Sequence, residues 1–348
     1  MMRIGIPTGL FFGVLVGLLA GCAAARPRTE ATTAAEAADF QRFEFSRPQM
    51  GVPFRISVYD RSETNAQAAA TAAYDRVAAL NAILSDYDPD SELSRLCRDT
   101  PPETPSTVSP ELGFMLERSL ELSQRSDGAF DATVGPLVNL WRRARRRLEL
   151  PSENLLAEAR SRTGWQRLRY DPRSRSVTFL APRMRLDFGG IAKGYAADEA
   201  LAVLRRFGVS RALVAAAGDI RVGDAPPGQP GWSIEVGALD TPGAPPPRTL
   251  RLVDAAVSTS GDLFQRLEIG GRRYSHIVDP RTGIGLTNQT LVTVVARDGT
   301  TADSLATAVD ILGPERGLAL VRRYLGARAL ILRPEGDRIV SYSSRDFP

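Results

Sequence analysis

The sequence predicts an α+β protein with a mainly antiparallel sheet, folded as a single domain. Three observations carry this: helical patterns dominate the first half of the 348-residue chain, short alternating strand patterns crowd the second, and no internal repeat is present. Once a processed N-terminus is set aside, about 300 residues remain, enough for one sizeable core.

The N-terminus reads as a leader. Arg3 precedes an apolar run from Ile4 to Ala20 that ends in Leu19-Ala20-Gly21-Cys22. Small residues directly before a cysteine mark a lipoprotein signal peptide over 1–21, with Cys22 as the lipidation site; the alternative is a plain membrane span. Residues 22–40 then form a lipidated N-terminus and a flexible Ala- and Thr-rich spacer, and 41–348 the folded domain. This places the protein in a bacterial cell envelope, lipid-anchored on the periplasmic side. With Cys22 lipidated, Cys97 is alone and no internal disulfide is available.

The remaining elements follow in order. Phe43 to Tyr59 alternates as a strand pair bent at Met50-Gly51, and Glu63 to Leu84 is a long amphipathic helix. Ser85 to Leu96 reads as a polar loop holding Tyr87, followed by helices near Pro110–Ser126 and Val134–Arg147. Leu168–Tyr170 and Val177–Leu180 form a hairpin, Met184–Phe188 a further strand, and Ile191–Phe207 a helix. Strands are expected at Ala212–Ala216, Ile220–Val222, Trp232–Val236, Thr249–Leu252, Leu291–Ala296, Ala329–Leu332 and Arg338–Tyr342. The Pro- and Gly-rich stretches Asp224–Gly231 and Thr241–Pro247 are surface loops.

Composition narrows the function. Hydrophobic residues at 43% and charged residues at 24% fit a globular body and argue against disorder or several membrane spans. The net charge of +4, from 44 basic and 40 acidic residues spread along the chain, gives no nucleic-acid surface. The run Arg142 to Arg147 reads as a solvated helix face without a role.

Three segments carry candidate chemistry. In Asp187-Phe188-Gly189-Gly190-Ile191-Ala192-Lys193-Gly194, a double glycine opens a helix, which is either a phosphate-binding turn or a tight connection. Lys193 is the sole lysine of the chain and falls in a helix first turn, where the helix dipole disfavours a cation; a bound anion would resolve that conflict. His276, the sole histidine, sits at a strand end in Tyr274-Ser275-His276-Ile277-Val278-Asp279-Pro280-Arg281-Thr282-Gly283, where it is either structural or a site residue. Upstream, Ser258, Thr259, Ser260 and Asp262 close a strand and either position phosphates or only the turn. The third segment is a helix start, Thr300 to Asp310. Asp303 and Thr307 share one face there, and Leu305, Val309 and Leu312 the other. Carboxylate and hydroxyl oxygens suit a hard cation such as magnesium; alternatively Thr300 and Asp303 form a capping box.

Together these segments resemble the ApbE family of FAD:protein FMN transferases. The matching motifs run in order through Met50-Gly51, Tyr87, Asp90-Ser91-Glu92-Leu93-Ser94, Ser126 to Asp131, Asp187 to Asp198, Ala217-Gly218-Asp219-Ile220, Thr259 to Asp262, His276 to Gly283 and Ala302 to Thr307. The resemblance implies a single α+β domain with FAD in a cleft between its helical and sheet portions. It implies FAD contacts at Met50, Tyr87, Ala129, Phe130, Asp131, Asp187, Lys193 and Ile277, and magnesium held by Asp303 and Thr307 with backbone oxygen at Gly190 and Ala306. The implied reaction moves FMN from FAD to a Thr or Ser hydroxyl of an acceptor redox protein bearing a Ser/Thr-Gly-Ala-Thr-like motif, releasing AMP. His276 is the expected general base, with Lys193 sharing the phosphate charge and Asp262 or Asp279 as substitute bases. Many relatives write Gly-Gly-Asp where this chain has Ala217-Gly218-Asp219. The alternatives are a magnesium-dependent FAD pyrophosphatase and a non-catalytic FAD-binding lipoprotein.

Overall fold

The computed structural model describes residues 39–237, 244–261 and 266–348. The leader, Cys22 and most of the spacer lie outside the described residues, as do Asp262 and part of the Thr241–Pro247 loop. The fold is α+β. An eight-stranded sheet is built from β1 (Gln41–Gln49), β2 (Val52–Asp60), β3 (Ala212–Ala216), β4 (Asp219–Val222), β5 (Ala255–Gly261), β6 (Leu291–Ala296), β7 (Arg328–Glu335) and β8 (Arg338–Ser343). The strands lie side by side in chain order, and every neighbouring pair is antiparallel. Met50 and Gly51 close the first hairpin with φ of 49° and 75°, the left-handed conformation that matches strand twist in a two-residue turn.

Seven α-helices are described: α1 (Glu63–Leu84), α2 (Glu92–Asp99), α3 (Pro110–Arg125), α4 (Gly135–Arg147), α5 (Glu153–Ser161), α6 (Ala192–Arg206) and α7 (Gly299–Val321). Helix α1 is capped by the Ser62 hydroxyl, which accepts the Asn65 N–H, and buries Ala66, Ala69, Ala70, Ala73, Val77, Leu80 and Leu84 along one stripe. Together with α6 and α7 it covers one face of the sheet, where Ile56, Val58, Val214, Val292, Val294 and Ile331 point. The other face is covered by a separate hairpin, Trp232–Val236 with Arg248–Leu252, which packs on Val222, Val257 and Val295. Strand β6 is therefore buried along its whole length, and its apolar residues do not alternate with polar ones. A satellite core joins α4 and α5 to the hairpin Arg266–Ile269 and Arg272–Ser275 through Leu137, Trp141, Leu156, Leu267 and Tyr274.

The structure corrects several expected elements. Met184–Phe188 is extended but belongs to no sheet: Met184, Leu186 and Phe188 are buried, which produces the alternation, while the N–H of Leu186 donates to Cys97 Sγ and that of Asp187 to the Ala132 carbonyl. The polar stretch before Leu96 contains the start of α2, capped by Ser91. The helix expected from Val134 begins as a 3-10 turn, Ala132–Val134, before α4 starts at Gly135. The hydroxyls of Ser258, Thr259 and Ser260 belong to β5 itself rather than to a turn.

Helices α6 and α7 meet backbone to backbone. A Cβ on Gly194 would stand 2.0 Å from the Gly299 carbonyl oxygen, and one on Gly299 would stand 2.4 Å from that of Gly194. Gly194→Ala must push the two helices apart; the expected loss is about 3 kcal/mol, read as a lowered urea midpoint, and an unchanged midpoint would refute the close crossing. In the β3–β4 turn, Ala217 takes φ 55°, a left-handed conformation that a Cβ opposes. Ala217→Gly is expected to stabilise the fold by about 1 kcal/mol in the same measurement.

Candidate active site

The site begins where Asp187 leads into Gly189-Gly190 and α6. Asp187 accepts the Gly189 N–H on Oδ1 at 2.7 Å, folding the turn back on the carboxylate. The N-cap residue of α6, Ile191, supplies no side-chain hydrogen bond. The cap comes instead from α7: Asp303 Oδ2 accepts the Gly194 N–H at 3.0 Å. In return Asp198 of α6 caps α7, with Oδ1 accepting the Gly299 N–H at 2.7 Å and Oδ2 the Thr300 N–H and hydroxyl at 2.9 Å. The N-cap of α7 is Asp298, so the alternative reading of Thr300 and Asp303 as a capping box is not met.

Lys193 sits between two buried carboxylates, its Nζ 2.9 Å from Asp219 Oδ2 and 3.7 Å from Asp303 Oδ2. Burial works against its charge, but the two carboxylates outweigh that and raise its pKa, so the ammonium stays charged. The conflict with the helix dipole is thus offset by Asp219 and Asp303. Burial and the neighbouring Asp219 push the Asp303 carboxyl above its ordinary range, with Lys193 and the Gly194 N–H opposing. Asp219 also accepts the Ser258 hydroxyl at 2.5 Å.

Thr307 lies one helical turn beyond Asp303, and its Oγ1 is 2.8 Å from the position a Gly190 Cβ would take, so only glycine lets the turn close on this hydroxyl. Ala306 is fully buried beside it. These residues fit a hard divalent cation: the donors are all oxygens, and with both carboxylates ionised Asp219 and Asp303 outweigh the single charge of Lys193. Among the described residues no three His, Cys, Asp or Glu side chains gather into a metal-binding group, so backbone and hydroxyl oxygens would have to complete the shell.

A separate cleft of about 80 Å³ is walled by Tyr87, Val138, Trp141, Arg142 and Arg145 on the helical side and Leu267, Ser275 and His276 on the strand side. His276 is exposed into it, while the adjacent Ile277 is buried. Tyr87 is 76% exposed, and the Arg142 guanidinium lies 4.0 Å over its ring centroid. Arg142 also pairs with Asp86 and, at 3.2 Å, with Asp187 Oδ2, which links the cleft to the Gly189-Gly190 turn. The combination can hold a flat ring at one end and an anionic group with a cation at the other.

The expected residues divide accordingly. Asp187, Gly190, Lys193, Asp303, Ala306 and Thr307 come together at the helix crossing; Tyr87 and His276 face the cleft. Met50 packs on the main core from its turn, and Ala129, Phe130 and Asp131 are buried; none of the four walls the cleft. Asp131 turns its carboxylate inward, accepting the Thr133 N–H and hydroxyl and the Trp165 N–H. Asp279 pairs with Arg281. Arg142, expected to be solvated, is instead built into the site, while Arg143, Arg145, Arg146 and Arg147 are exposed.

Known proteins share this architecture. The solved flavinyl transferase ApbE of Pseudomonas stutzeri, in its apo form, superposes with a TM-score of 0.77 at 31% identity, over 88% of this chain and 95% of that one. The flavin transferase ApbE of Vibrio cholerae gives 0.79 at 28% identity, over 88% and 98%. An FAD:protein FMN transferase of Vibrio cholerae serotype O1 is 32% identical over 316 residues, 88% of this chain and 92% of the relative. One from Klebsiella pneumoniae is 31% identical over 343 residues, 95% and 93%. The fold is therefore the one that solved flavin transferases have. Residues 50–331 match the model of the ApbE family, and this chain belongs to that family.

Cys97 is half-buried with its sulfur accepting the Leu186 N–H at 3.3 Å, and burial pushes the thiol up to about 11. Alkylation of Cys97 at pH 8, followed by mass spectrometry, is expected on the order of a hundredfold slower than for an ordinary exposed thiol and to rise about tenfold per pH unit. Rapid labelling at pH 8 would contradict this.

Proposed function

We propose that this chain transfers the FMN moiety of FAD to a Ser or Thr hydroxyl of an acceptor protein. The acceptor oxygen bonds to the FMN-side phosphorus, the diphosphate P–O bond breaks, and AMP leaves. The observation that carries this reading is the continuity from an open cleft faced by Tyr87 through Arg142 and Asp187 to the Gly189-Gly190 turn and the Lys193, Asp303 and Thr307 cluster, in a chain of the ApbE family. A molecule with a flat ring joined to a diphosphate fits that arrangement.

His276, exposed at the cleft wall, would take the proton of the attacking hydroxyl at a ring nitrogen. Lys193 would share charge developing on the phosphate oxygens, and Asp219 would hold its ammonium in place. Asp187 shapes the turn that would meet the diphosphate, and the buried Ile277, its N–H held by the Ser275 hydroxyl at 3.1 Å, would contact FAD next to His276. Magnesium, when bound, supplies neutralisation of diphosphate charge; Asp303, Thr307 and the backbone oxygens of Gly190 and Ala306 would hold it. The acceptor is a redox protein with a Ser/Thr-Gly-Ala-Thr-like motif. Arg3, the apolar run and the residues before Cys22 support a lipid anchor on the periplasmic side of a bacterial envelope, to be checked by membrane release of Cys22→Ser.

The chain incubated with FAD, magnesium and an acceptor domain bearing that motif is expected to leave flavin fluorescence on the denatured acceptor, with AMP in equal amount. Asp303→Ala and His276→Ala are each expected to slow labelling by about 100-fold or more. AMP and free FMN without labelling would favour a pyrophosphatase, and intact bound FAD a non-catalytic flavin-binding protein.

A further inference from the structure

We propose that Arg142 is a positioning residue for the substrate: a strut that holds the Tyr87 ring at a fixed spacing from the Gly189-Gly190 turn. The inference rests on the FAD reading above. Arg142 leaves α4 with only 21% of its side chain exposed, and its head meets Tyr87, Asp86, Asp187 and, at 3.4 Å, Asn139 Oδ1. Its guanidinium carbon lies 4.0 Å from the Tyr87 ring centroid, one guanidinium nitrogen pairs with Asp86, and the other donates to Asp187 Oδ2. The second oxygen of Asp187 holds the Gly189 N–H. An unbroken chain of contacts thus runs from the ring platform to the turn at the start of α6.

Arginine is suited to this position because its planar, delocalised head can stack on a ring while its fork binds two carboxylates; a lysine ammonium cannot do both. Tyr87 needs such support. Its backbone N–H is fixed by the Ser85 hydroxyl at 3.2 Å, but the residue is 76% exposed. A substrate gripped at a ring and at a diphosphate gains affinity from holding both ends only if the two grips keep their separation. Arg142 fixes that separation, and without it Asp86 and Asp187 face each other unneutralised.

The full chain, with magnesium present, is titrated with FAD, riboflavin and ADP as wild type, Arg142→Gln and Arg142→Lys. For Arg142→Gln the FAD Kd is expected to rise about tenfold while the ADP Kd stays within about twofold. Arg142→Lys keeps the charge but not the stack, and is expected to weaken FAD about fivefold while riboflavin, held at one end only, stays within about twofold. It carries the test if Arg142→Gln fails to fold. Unchanged FAD affinity in a folded variant, or ADP weakened as much as FAD, overturns the strut. Wild-type protein that binds no FAD overturns the functional reading and the strut with it.

Discussion

The crossing of α6 and α7 at Gly194 and Gly299 is the contact on which the site depends. Neither helix could approach so closely with a side chain at these positions. Once in contact, each helix supplies the other's missing cap: Asp303 serves the first turn of α6, and Asp198 serves the first turn of α7. Asp198 is in turn held by Arg221 of β4 at 3.1 Å, which ties the helix pair to the sheet. Both helix starts are therefore satisfied from within the protein, and Lys193, Asp303 and Thr307 converge without loops of their own.

The cleft is positioned by a different core. Trp141 packs against Tyr274 with ring centroids 5.2 Å apart and donates its Nε1 hydrogen to the Gly283 carbonyl at 2.8 Å. This pins the segment bearing His276 to the helix bearing Arg142, so that both walls are anchored on α4. The main core fixes the phosphate-facing cluster and the satellite core fixes the cleft. Arg142 and Asp187 lie at the seam between them.

Much of this was legible because local physics determined it. Helix α1 could be read end to end from its stripe of small apolar residues, and the β1–β2 turn from Gly51 between two alternating runs. Lys193 and His276 stood out by being single of their kind. Arg142 did not, because its neighbours Arg143, Arg145, Arg146 and Arg147 are of the same type and differ only in exposure, which depends on where Asp86 and Asp187 arrive in space. The partner of Lys193 at Asp219 was hidden for a similar reason: it comes from β4, across the sheet layer. Alternation at Met184–Phe188 reported burial correctly and pairing wrongly, since burial of every second side chain does not require a strand partner.

The Lys193, Asp219 and Asp303 cluster is costly as a stability device. Each charge taken from water carries a penalty of several kcal/mol, and one ammonium cannot satisfy two carboxylates in full. A fold needing only a clamp between α6 and α7 already has the glycine crossing and the Asp198 cap. Apolar residues in place of Lys193 and Asp219 would pack there without the desolvation penalty. Excess negative charge beside the hydroxyl of Thr307 and the turn at Gly190 is instead what a site needs if it is to receive a cation and, with that cation, the anionic part of a substrate. The charge imbalance makes sense as one half of a complex, with the ligand supplying the other.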